Sequence, residues 1–152
     1  MMTNRILNAE MRPFEAGWAL IETVIAVTIF FILTGAVSFA GVRYVNKARQ
    51  ATAANEIAAF SLALDSYYLD CGMYPSEEQG LDALWAVPVT SPVPSGWSGP
   101  YLTRKDIEDS WGRDYIYRRP GPEGLPYAIL SHGADGLEGG EGPDADIHSW
   151  KN

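Results

Sequence analysis

Positive charge is scarce in this sequence. Its 152 residues carry 11 Lys and Arg against 19 Asp and Glu, a formal net charge of −8. Binding nucleic acid needs clustered Lys and Arg to meet the phosphates, so that class of partner is excluded. Cysteine is nearly absent. Cys71 stands alone, which rules out an intrachain disulfide but leaves the compartment open. The two histidines, His132 and His148, have no cysteine or further imidazole at a spacing that would complete a zinc site. Proline is missing from Arg43 to Cys71, and charge is missing from Thr23 to Val42. There is no internal repeat.

The uncharged stretch is twenty residues of mostly Val, Ile, Phe, Ala, Leu and Thr. At about 1.5 Å per residue a helix of that length spans roughly 30 Å, the thickness of a bilayer's hydrocarbon core. Glu22 stands at its N-terminal edge. An ionisable residue there is costly and calls for a named partner. Residues 1–17 are short and polar, and the small residue Gly17 precedes the apolar run. A secretory signal has the opposite order, with its small-residue cleavage site after the apolar core. Cutting after Gly17 would remove only the leader, leaving Trp18 first and Glu22 fifth.

Beyond the apolar run, Arg43, Lys47 and Arg49 can meet lipid head groups. The pattern then continues as helix, because Ile57, Phe60, Leu64, Tyr67 and Cys71 recur at spacings of three and four. Gly35 and Gly41 either loosen this helix or let it pack closely in lipid. Pro75 ends it. Ser76 and Gln79 read as a capping box before a short helix through Leu81, Leu84 and Trp85. Residues 86–100, with four prolines and two glycines, read as loop. Tyr115–Tyr117 and Tyr127–Leu130 read as strands about a Pro120–Gly124 turn. The aromatics Tyr67, Tyr68, Tyr74, Trp85, Trp111, Tyr115 and Tyr117 are expected in the core. The fold class is α+β: a long N-terminal helix, its first half transmembrane, packed on a small antiparallel sheet.

Gly17-Trp18-Ala19-Leu20-Ile21-Glu22 with its apolar run resembles the leader of type IV pilins and pseudopilins, usually G-F-T-L-x-E. Trp18 stands for the Phe and Ala19 for the Thr. Three further segments resemble major pseudopilins of the type II secretion system. They are Tyr68-Leu69-Asp70-Cys71-Gly72-Met73-Tyr74-Pro75-Ser76-Glu77-Glu78-Gln79-Gly80-Leu81, Asp109-Ser110-Trp111-Gly112-Arg113-Asp114-Tyr115 and Ser131-His132-Gly133-Ala134-Asp135-Gly136. Ser110 replaces the family's proline, and His132 its leucine. The resemblance implies a cleaved leader (1–17), an assembly and membrane half-helix (18–42) and a periplasmic globular domain (43–152). It implies cutting between Gly17 and Trp18 by a prepilin peptidase, with N-methylation of Trp18. Glu22 of one protomer would pair with the terminal amine of the next. The implied role is structural and not enzymatic: a homopolymeric periplasmic filament that works with minor pseudopilins and an inner-membrane platform. That filament would drive folded proteins across the outer membrane. The chain would sit in the inner membrane as a single-pass protein. The rival expectations are a membrane-tethered binding module and a type IV pilus subunit.

Residues 133–146 carry five carboxylates on a glycine-rich loop. Such a loop is either a solvated acidic tail or a site for a hard cation that takes carboxylate and carbonyl oxygens. The spacing is not an EF-hand. The resemblance implies structural Ca²⁺, with side-chain oxygens from Asp135 and Asp146. Asp144 is a further candidate, and His132 and Leu137 would contribute backbone oxygens. Ala145 stands where some members have a carboxylate. Ser131, His132 and Asp135 do not make a hydrolase triad, because neighbouring strand residues point to opposite faces.

Overall fold

The computed structural model describes residues 13–105 and 107–150, with the backbone alone for 13–17 and 36–40. Most of the expected leader, residues 1–12, lies outside the described residues. One helix, α1 (Pro13–Cys71), takes 59 residues. It is Ala-rich and has no proline after its first turn, so nothing in its interior removes a backbone donor. Its threonines fold back on the preceding turn: Thr23, Thr28 and Thr34 donate to the carbonyls of Ala19, Val24 and Phe30 at 3.0, 2.7 and 2.8 Å. A hydroxyl satisfied in this way can sit on an apolar segment without an orphaned donor.

The chain divides into two compact units between Arg43 and Tyr44. In the first, Trp18–Gly35 forms helix long and apolar enough to cross a membrane, and none of it is buried. The second has its own core. Ala53, Ile57, Phe60, Leu64 and Tyr67 form the buried face of α1, and Leu81, Leu84, Tyr115, Tyr117 and Ile129 cover it. Phe60 meets Tyr115 edge-on at 5.2 Å between ring centres, and Tyr67 meets Tyr101 at 5.6 Å. Desolvation, with a smaller contribution from neighbouring Cys71, pushes the Tyr67 phenol up to about 12.

The sheet is three antiparallel strands in the order β1 (Ile116–Arg118), β2 (Ala128–Ser131), β3 (Ile147–His148). Tyr117 lies opposite Ile129, and Leu130 opposite His148. The α+β architecture holds, with five corrections. Tyr115 precedes β1, because its N–H turns back to the Ile107 carbonyl at 3.1 Å. Tyr127 precedes β2, and the strand β3 was not anticipated. The Ser76–Gln79 box does form: Gln79 Oε1 accepts from the Ser76 N–H at 2.9 Å and Ser76 Oγ from the Gln79 N–H at 3.2 Å. It closes a turn rather than an α-helix, and a single 3₁₀ turn, Leu81–Leu84, follows. Finally, Tyr68 is 45% exposed and stacks on Tyr74 at 4.8 Å instead of entering the core.

Residues 86–100 contain no regular element but are fixed. Gln79 Nε2 donates to the carbonyls of Thr90 and Pro92 at 2.8 and 2.9 Å, and the Trp97 indole to that of Ala83 at 2.9 Å. A buried amide that bridges two loop carbonyls supplies the partners a strand would otherwise supply.

Candidate functional site

Two regions carry the chemistry singled out in the sequence. The first is the exposed apolar helix. Gly17 and Trp18 are consecutive within α1, and Glu22 lies one turn on from Trp18, on a surface wholly open to its surroundings. Trp18 is 69% exposed. Among the described residues none buries the segment, and an apolar surface of this extent calls for a cover of lipid or protein.

The second is the acidic loop between β2 and β3. It starts from Ser131, whose hydroxyl donates to buried Asp109 Oδ2 at 2.6 Å. That bond commits Ser131 to holding two segments together, which leaves it no nucleophilic role. The loop then closes on itself: the Ala134 N–H donates to the Pro143 carbonyl at 3.1 Å. Gly133 makes this closure possible. Its φ is +60°, and a Cβ there would lie 2.7 Å from the Ala145 carbonyl oxygen.

The structure brings two of the candidate residues into direct contact. His132 Nδ1 and Asp146 Oδ1 are 3.1 Å apart, and Asp146 Oδ2 accepts the Gly139 N–H at 2.9 Å. Burial alone would raise the Asp146 carboxyl. The Gly139 N–H and the His132 ring outweigh it, and the carboxyl sits below its usual value. Asp135 Oδ1 accepts the Leu137 N–H at 3.0 Å, an Asx turn. Asp144 lies beside Gly133 and Gly140, its carbonyl 2.5 Å from where a Gly140 Cβ would be. His132, Glu138, Asp146, His148 and Trp150 line a cavity of about 340 Å³.

Among the described residues, no three acidic, imidazole or thiol side chains form a ready metal cluster. The three carboxylates implied for Ca²⁺, Asp135, Asp144 and Asp146, are thus not gathered into one cluster, although an all-oxygen, partly backbone donor set is of the type a hard cation takes. The lowered Asp146 carboxyl and the close approach of the two limbs at Gly133 and Gly140 suit such a set. Two residues on which the loop depends escaped the sequence reading, namely Asp109 and Arg113. Arg113 Nη2 donates to the Gly133 carbonyl, and Nη1 to that of Ala134 at 3.4 Å. The only signal was their place in the Asp109–Tyr115 motif, which says nothing about what they touch.

The sequence pattern of the family described as type II secretion system (T2SS), protein G, matches residues 41–150. A core protein G of that system from Pseudomonas aeruginosa is 40% identical over 141 residues, 93% of this chain and 99% of that one. The Vibrio cholerae core protein G is 41% identical over 137 residues, 90% and 92% of the two chains. The crystal structure of the major pseudopilin from the type 2 secretion system of enterohaemorrhagic Escherichia coli superposes with a TM-score of 0.60. It is 34% identical in sequence, over 70% of this chain and 90% of that one.

Proposed function

This chain belongs to the type II secretion system protein G family, and from that premise we propose that it is the major pseudopilin of its secretion machinery. It is a structural subunit, not an enzyme. The observation that carries the reading is the pairing of a wholly exposed apolar helix, Trp18–Gly35, with a second unit that holds its own core. An assembly subunit needs both: a greasy segment that only lipid or other copies can cover, and a folded body that survives when copies move.

The proposed course starts in the inner membrane, with the helix crossing once and the second unit in the periplasm. Prepilin peptidase cuts between Gly17 and Trp18, and the new Trp18 amine is methylated. Helices leave the lipid to join a homopolymer, on which minor pseudopilins and the inner-membrane platform act. Growth of the filament pushes folded proteins through the outer membrane. The test is the mass of the mature N-terminus: cleaved chains begin at a methylated Trp18. Mature protein that still begins at Met1 would falsify the reading.

For the acidic loop we propose Ca²⁺ held by Asp135, Asp144 and Asp146 with the carbonyls of His132 and Leu137. The ion would neutralise carboxylates that otherwise repel one another and would tie the two limbs of the loop together. Chelator should lower the Tm of the wild type, and Asp135→Ala should remove that response. A melting curve unmoved by chelator rejects the ion.

A further inference from the structure

Arg113 lies outside the donor sets named above, yet its guanidinium contacts the acidic loop directly. Its backbone is immobilised first. Asp109 Oδ1 accepts the N–H groups of Trp111 and Arg113 at 2.9 and 3.0 Å, and the Arg113 carbonyl accepts the Asp109 N–H at 2.6 Å. Asp109 Oδ2 takes the Ser131 hydroxyl, which fixes this turn to the end of β2. From that base the guanidinium reaches the carbonyls of Gly133 and Ala134. It also lies flat against Gly136, where a Cβ would come within 3.1 Å of three of its atoms.

We propose that Arg113 is a positioning residue, a covalently attached cation that holds the first limb of the loop, 132–137, whether or not a metal ion is present. A guanidinium stays charged at any working pH and offers several donors in a fixed plane, so it can serve two adjacent carbonyls together. Its charge also offsets part of the repulsion among the loop's carboxylates. The first limb then keeps its shape in chelator, and a dissolved ion serves chiefly to join the second limb, 138–146, to it. The proposal extends the calcium reading but does not need it.

The test is hydrogen–deuterium exchange of the full chain in detergent micelles, followed by mass spectrometry, with and without calcium. In chelator, wild-type amides of 132–137 stay protected, and those of Arg113→Gln exchange about tenfold faster. Arg113→Lys falls between, since one ammonium replaces the fork poorly. Peptides covering 57–67 report global folding. Should Arg113→Gln lose protection there too, Arg113→Lys decides: a tether frees 132–137 before 57–67, and a merely stabilising residue frees both together. The proposal is overturned if 132–137 exchanges within about twofold of wild type in the folded Gln variant in chelator. It is equally overturned if the Lys variant frees both segments in step. If calcium protects 138–146 in neither protein, the ion is rejected and the tether stands.

Discussion

Asp109 does at the scale of one side chain what a turn motif cannot do alone. It is 7% exposed, and its two oxygens accept from two backbone N–H groups and the Ser131 hydroxyl. Replacing it with Ala would orphan all three donors, that of Ser131 in a buried place and the other two in a half-buried one. Hydrogen bonds to a charged group contribute about 1.5–3 kcal/mol each, and an unsatisfied donor loses most of that. Asp109→Ala is therefore expected to lower stability by about 4 kcal/mol or more, and Ser131→Ala by about 2 kcal/mol. Denaturant midpoints of the full-length variants in micelles check this, and equal midpoints for the two would contradict it. None of this could be read from the sequence. The Asp109–Tyr115 motif was visible, but Ser131 lies 22 positions away, and no local period connects them. The glycines were legible as a loop, whereas the approach of Gly133 to Ala145 depends on where both limbs return.

At the scale of elements, α1 was legible and the sheet much less so. Ala53, Ile57, Phe60, Leu64 and Tyr67 are buried while Leu62 and Leu69 on the other side are 70% and 82% exposed. A one-sided stripe of that kind is what helical spacing encodes. The strands lack an equivalent signal. All four residues of β2 are buried, so the alternation that marks a half-covered strand never appears. The strand β3 has two residues and follows a long glycine-rich loop, which leaves no period to detect. Its place is set by pairing with β2, with Leu130 opposite His148 and Ser131 opposite Ile147. The second helix anticipated from the capping box shortened to one 3₁₀ turn. Gly80, at φ +58°, diverts the backbone immediately after the box, so the reciprocal bonds of Ser76 and Gln79 end a turn and start nothing longer.

For the whole molecule, the informative contrast is between a unit that can cover its apolar side chains and one that cannot. Within Tyr44–Asn152, the helix face, the sheet and the Leu81–Leu84 turn bury one another. From Trp18 to Gly35, Leu20, Phe30, Phe31 and Ile32 are each more than 60% exposed. Lipid can cover these residues but cannot neutralise Glu22. A carboxylate left alone at the membrane edge costs several kcal/mol, and so would the amine that the proposed cleavage creates at Trp18. On the proposed reading each group partners the other on a neighbouring copy, with Glu22 of one meeting the Trp18 amine of the next. Single copies can still insert without that pair, because insertion follows apolar length and Ala is less costly there than Glu. Assembly should fail, since the amine of each incoming copy would be buried with nothing opposite it. Glu22→Ala is expected to fractionate with the inner membrane at the wild-type level while sheared filament falls at least about tenfold, a difference of about 1.4 kcal/mol or more per contact. Quantitative blotting of membrane and sheared fractions measures both, and wild-type filament yield from Glu22→Ala would remove Glu22 from the assembly contact.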